Sequence, residues 1–111
     1  MAHEMKKMWD ISTDLWFKGE WIGKVGGVFT GASSVHGGQE TTAVSMMFPM
    51  LHHGMILVGP SYDTKELHES GSPYGPSTIV GAKSDQIKEV DLIVAKSLGT
   101  KIAKLSSKIS Q

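Results

Sequence analysis

Two short apolar runs of β type, "KVGGVFT" from Lys24 to Thr30 and "MILVG" from Met55 to Gly59, stand on either side of a helical stretch. That alternation constrains the fold more than any other feature, because short apolar strands alternating with helices belong to α/β layers with parallel pairing. The helical stretch runs from Gln39 to His53, with Val44, Met47, Phe48 and Leu51 as its apolar stripe. Pro49 falls inside it and is expected to kink or shorten the helix. Gly54 follows as a C-terminal cap.

The flanking segments extend the pattern. Ala2–Ile11 places Met5, Met8 and Trp9 at helical spacing, and "STDLWFKGEWIG" reads as a connector whose aromatics must pack somewhere. Pro60 to Lys83, rich in Pro, Gly, Ser and Tyr, is a long segment of the kind that is functional or disordered. Ser84 can cap a last helix whose apolar positions are Ile87, Val90, Val94, Leu98, Ile102, Leu105 and Ile109. The order is helix, strand, helix, strand, long loop, helix. Two parallel strands leave unpaired edges, whereas such strands are normally flanked and buried on both faces. The composition is that of a domain, but the element count is that of half a domain.

Composition narrows the function classes. With 111 residues there is room for one modest core. The formal net charge is zero, so no global field draws nucleic acid or an anionic membrane. The absence of cysteine removes disulfides and thiolate metal sites. The longest nearly apolar stretch, "AVSMMFPML", is too short to cross a bilayer, and the N-terminus has no apolar core of signal-peptide length. A soluble, cytoplasmic protein is the default expectation.

The stretch "TGASSVHGGQETT", Thr30 to Thr42, leaves the first strand and opens the helix. Ligands of open α/β sheets bind outside the carboxyl ends of strands, and small residues followed by a helix start let backbone N–H groups meet oxygens. The alternative is an ordinary strand-to-helix turn. Neither phosphate-loop spacing is present, so no nucleotide follows from spacing alone. His36, His52 and His53 could approach one another around a metal, but adjacent helical residues point about 100° apart and no carboxylate stands at ligand spacing. A histidine at a helix C-terminus is also simply favourable, and no metal is expected. Trp16 and Phe17 either pack in the core or wall a pocket for a planar ligand. The lysines of the last helix read as its solvated face. No Ser/His/acid arrangement or close carboxylate pair suggests hydrolysis.

Together "LW", "GKVGGVFTGASSVHGGQETT", "MLHHGMILVG", "GSPYG" and "STIVGA" resemble, in order and spacing, the flavodoxin-like NAD(P)H:quinone oxidoreductases, the tryptophan-repressor-binding protein family. The resemblance covers nearly the whole chain, and "MAHEMKKMWD" is similar to that family's helix after its middle flavin loop. It implies a flavodoxin-like fold, FMN, two-electron reduction of quinones by NADH or NADPH, and a homo-oligomer, dimer or tetramer. By the same resemblance Gly31, Ala32, Ser33, Ser34, Val35 and His36 contact the flavin. His52 lies at the flavin and substrate pocket as the catalytic candidate, and Trp16 closes that pocket from a neighbouring subunit.

The family's first strand, phosphate loop and second flavin loop lie upstream of the residues matched here. The resemblance therefore implies the C-terminal half of the fold, two parallel strands with three helices over residues 1–111, completed by oligomerisation. A non-catalytic relative that forms an edge-paired or domain-swapped oligomer is the alternative. Pro49, the Ser-Gly of "ESGSPYG" and a shorter loop before the last helix depart from the family pattern.

Overall fold

The computed structural model describes residues 1–81 and 86–110. Its helices are α1 (His3–Ile11), α2 (Thr13–Phe17), α3 (Gln39–His52), α4 (Leu67–Ser70) and α5 (Glu89–Ile109). Its strands are β1 (Val25–Gly26), β2 (Thr30–Ala32), β3 (Ile56–Leu57) and β4 (Ser77–Ile79). This is the α/β arrangement the sequence predicts, with two corrections. The connector after α1 folds into α2, and the first expected strand is divided into β1 and β2.

The division has one cause. β1 pairs parallel with β3 (Val25 opposite Ile56), and β2 pairs parallel with β4 (Thr30 opposite Ser77). The chain from Val25 to Ala32 thus has two partners in turn, because its neighbour leaves after Val58 and returns at Pro76. Backbone bonds mark the exit and the return: Val58 N–H donates to Gly26 O at 2.9 Å, and Thr30 N–H donates to Pro76 O at 3.0 Å. The segment expected as one long loop is this excursion, carrying α4 and ending in β4. At the return, a Cβ on Gly75 would stand 2.2 Å from the carbonyl oxygen of Val28, so only glycine lets the two backbones come so close. Lys101 of α5 ties down the exit: its Nζ donates to Gly59 O at 2.9 Å and to Ser61 Oγ at 2.7 Å. Lys96, Lys101, Lys104 and Lys108 are all exposed as expected, and Lys101 serves in addition as a tether.

Neighbouring strand residues face opposite sides. Val28 packs into a core with Ala43, Met46 and Met50 of α3. Gly27 lies under α5, where an added Cβ would come within 3.2 Å of Leu98 and Ile102. The two long helices thus cover opposite faces. α5 follows its predicted stripe: Val94 and Leu98 are buried, Val90, Ile102 and Leu105 half-buried, and Ile87 and Ile109 exposed. Ser84, expected to cap it, lies outside the described residues; the N-cap position is Lys88, without a side-chain cap.

α3 differs from expectation in which face it buries. Gln39, Ala43, Met46 and Met50 point inward, and Phe48 and Leu51 are exposed. The buried stripe lies one position, about 100°, from the predicted one. Pro49 does not end the helix, which continues to His52. Gly54 is the cap expected of it, at φ +73°. Its N–H donates to Leu51 O at 2.9 Å and Met55 N–H to Met50 O at 3.1 Å. Those two bonds make a Schellman motif, so the "HHGM" sequence is in the first place a helix stop. Among the described residues, no helix is long and apolar enough to cross a membrane.

Candidate functional site

β2 ends at Ala32 and α3 begins at Gln39, so the loop between them is anchored at both ends. Gly37 N–H donates to Ser34 O at 3.2 Å, and the Gln39 amide Nε2 donates to the same oxygen at 2.7 Å. Gly37 sits where a Cβ would be 2.5 Å from the Cβ of Ala32, and Gly38 enters the helix at φ +85°. The two glycines of "HGGQ" therefore fold the loop back on itself. Its bonding turns inward and leaves Gly31, Ser33, Ser34, Val35 and His36 exposed, with Ala32 half-buried. No side chain caps α3, so its first N–H groups stay open to a ligand oxygen. A flavin ring carries carbonyl oxygens and nitrogens along one edge. An exposed, glycine-braced loop with backbone N–H donors fits that edge chemically.

The other end of α3 is built differently. His53, buried, sits between Trp21 (ring centroids 4.5 Å apart) and Trp9 (6.1 Å), and the two indoles meet edge to face at 5.9 Å. Its Nε2 lies 2.8 Å from Ser12 Oγ. The Ser12 hydroxyl donates to Trp9 O at 2.7 Å, so its oxygen accepts from His53 Nε2. His52 points out into solvent, and its backbone carbonyl accepts the indole N–H of Trp16 at 2.8 Å. Trp16 is 46% exposed and packs edge-on against Phe17 at 4.9 Å. Neither aromatic enters the core. Both stand as an exposed apolar wall, and the connector residue that packs inward is Trp21.

The structure thus brings Trp16 and His52 together, and separately groups Gly31 to His36. It does not bring the two groups to one place within a chain. Fourteen residues of α3 separate them, about 20 Å of helix. The same separation keeps His36 from His52 and His53. Among the described residues no three His, Cys, Asp or Glu side chains gather as a metal site.

A cavity of about 680 Å³ opens beside the start of α3, between it, the end of α4, β4 and the start of α5. It shares only Val35 and His36 with the predicted flavin contacts. Glu40, Glu69 and Asp91 line it with Lys88, and Gly31 to Ser34 lie outside this acidic cavity. Asp91 is buried there, where it accepts a hydrogen bond from Ser70 Oγ at 2.9 Å. Sequence reasoning also missed His53, Ser12, Trp9 and Trp21 as a group. The available signal was the repeated His itself: two adjacent helical residues cannot share one environment.

No family model matches the chain. Curated relatives do. A protein named NAD(P)H dehydrogenase (quinone) from Chromohalobacter salexigens is 43% identical over 116 residues, covering 99% of this chain and 58% of that protein. One of the same name from Rhizobium rhizogenes is 43% identical over 98% of this chain and 58% of its own length. Among solved structures, the crystal structure of the flavodoxin, WrbA-like protein from Agrobacterium tumefaciens matches with a TM-score of 0.74 at 23% identity. That match covers 96% of this chain and 58% of the other, and it carries the fold. The chain spans well under two thirds of the length of the proteins it matches, a coverage that fits the C-terminal half of their fold. By sequence along nearly its whole length the chain is a homologue of proteins named NAD(P)H dehydrogenase (quinone), and by fold it matches a flavodoxin, WrbA-like protein, over 58% of the length of each.

Proposed function

We propose that this chain supplies the ring-side loop and the aromatic wall of an FMN-dependent NAD(P)H:quinone reduction site. The observation that carries the reading is the exposed, internally braced Gly31–His36 loop at the open start of α3, in a chain 43% identical to proteins named for that activity. When bound, FMN would take a hydride from NAD(P)H and return two electrons to the quinone, which with two protons leaves as the hydroquinone. Gly31, Ala32, Ser33, Ser34, Val35 and His36 would hold and polarise the ring edge through backbone N–H groups. Trp16, backed by Phe17, would stack a planar quinone and exclude water, with the His52 side chain beside it. Because about 20 Å of helix separates loop and wall, the wall of one chain would serve the loop of another. The reading therefore includes a homo-oligomer.

Titration of the full chain with FMN, followed by flavin fluorescence, tests this. Saturable quenching at micromolar concentration with NAD(P)H-dependent quinone turnover is the expected result. No quenching up to about a millimolar, at most roughly 4 kcal/mol of binding, overturns the reading for this chain.

A second reading has its own observation. Among the described residues each ladder has two strands, and Phe29, between β1 and β2, is 76% exposed. A parallel edge with an apolar side chain beside it suits pairing with another copy, without catalysis. Light scattering on the purified chain should then give a dimer or larger, and a stable monomer removes this reading.

A further inference from the structure

We propose that His53 is a positioning residue for the quinone wall: its imidazole, through Ser12, sets the place and angle of the Trp16 indole. The proposal rests on the role given above to Trp16 and assigns a residue that reading leaves unused.

The argument is a closed circuit of hydrogen bonds. His53 Nε2 reaches Ser12 Oγ at 2.8 Å. Ser12 is both the C-cap of α1 and the N-cap of α2, and its carbonyl accepts the backbone N–H of Trp16 at 3.0 Å. The Trp16 indole N–H then donates to His52 O at 2.8 Å, and His52 is bonded covalently to His53. The circuit starts and ends on adjacent residues of one helix end, so Trp16 is held by its backbone and by its ring at once. α2 is only five residues long, buries no side chain and has no side-chain cap, so it has little else to fix its direction. Without the circuit the Trp16–Phe17 pair would be a surface flap.

The two histidines divide the work. His53 is 6% exposed and clamped by Trp9 and Trp21, which hold its ring in one orientation. His52 contributes its carbonyl and leaves its side chain free in solvent. Ser12, also buried, uses its single hydroxyl proton on Trp9 O, which leaves its oxygen as an acceptor for a donor facing it. The imidazole is that donor. A hydrophobic residue of the same size would keep the packing and lose the direction.

The test is the indole N–H spectrum of the ¹⁵N-labelled full chain, whose three tryptophans give three signals, with Trp16→Phe identifying the one of interest. In His53→Phe and in Ser12→Ala the Trp16 indole proton should exchange with water at least about fivefold faster, the worth of one net hydrogen bond. His53→Gln, which keeps an N–H donor, should restore slow exchange. A purely structural His53 would lower the melting temperature and leave the Trp16 exchange of the folded protein unchanged, which overturns the proposal. Should His53→Phe fail to fold, Ser12→Ala decides, because it keeps the three-ring cluster. In quinone assays the same variants should raise the KM for quinone severalfold with kcat nearly kept. Absence of turnover in the parent chain would count against the proposed function, and the exchange measurement would still decide this inference.

Discussion

The two ends of α3 do opposite things with the same chemistry. At its start, the hydrogen-bonding of Ser34, Gly37 and Gln39 is spent inside the loop, and the side chains around His36 are left in solvent. At its end, two backbone bonds close the helix at Gly54, and two indole rings enclose His53. One end is stiff and open; the other is stiff and closed. The difference teaches that histidine and glycine content does not by itself mark a site. His36 and His53 differ in what surrounds them, and only the first is available to a ligand from outside.

That contrast can be broken from its closed side first. Trp21→Ala removes one wall of the cluster around His53 and should cost roughly 2–3 kcal/mol of stability in chemical denaturation, somewhat below a fully buried ring because Trp21 is half-buried. A loss under about half a kcal/mol would mean that the cluster is ornament on a helix held elsewhere. Gly54→Ala comes next. It forces an alanine to φ +73° and brings a Cβ to 3.2 Å from Ile22, so about 1–2 kcal/mol should be lost, read as a lowered melting temperature. The smallest effect belongs to the open side. His36→Ala should leave stability within about half a kcal/mol of the parent, since the side chain is exposed, and should weaken FMN quenching severalfold. A large stability loss there would erase the contrast between the two ends.

Much of the frame was legible in the sequence. The two apolar runs became strands, Gly54 became the cap, and the stripe of α5 became its buried face, because each is decided by local spacing. The buried face of α3 was not. That helix carries two adjoining apolar stripes, and the one with the larger side chains, Phe48 and Leu51, is the exposed one. Its buried stripe is opened by Gln39, whose amide is satisfied by a carbonyl in the loop, a partner that periodicity cannot show. β4 was hidden for a different reason. It is three residues, two of them hydroxylic, and its partner stands far upstream. The candidate site was half legible. The loop was visible as small residues before a helix, whereas the grouping of Trp16 with the His52 carbonyl depends on α2, which no stripe announces.

The divided strand has a consequence for how the chain comes together in time. Val25 and Ile56, in the first ladder, are 31 residues apart, and Thr30 and Ser77, in the second, are 47 apart. Lengthening the loop by that much adds only about 0.4 kcal/mol to its closure, so the excursion is thermodynamically nearly free. Its burden is kinetic, since distant parallel contacts are the slow ones to form. The shorter ladder, with α3 spanning it, can assemble before the excursion has settled. The second ladder must wait until Gly75 has slid against the Val28 carbonyl, a fit that admits no side chain at all. The edge that carries β4 is then the last part of the sheet to arrive and the first to leave.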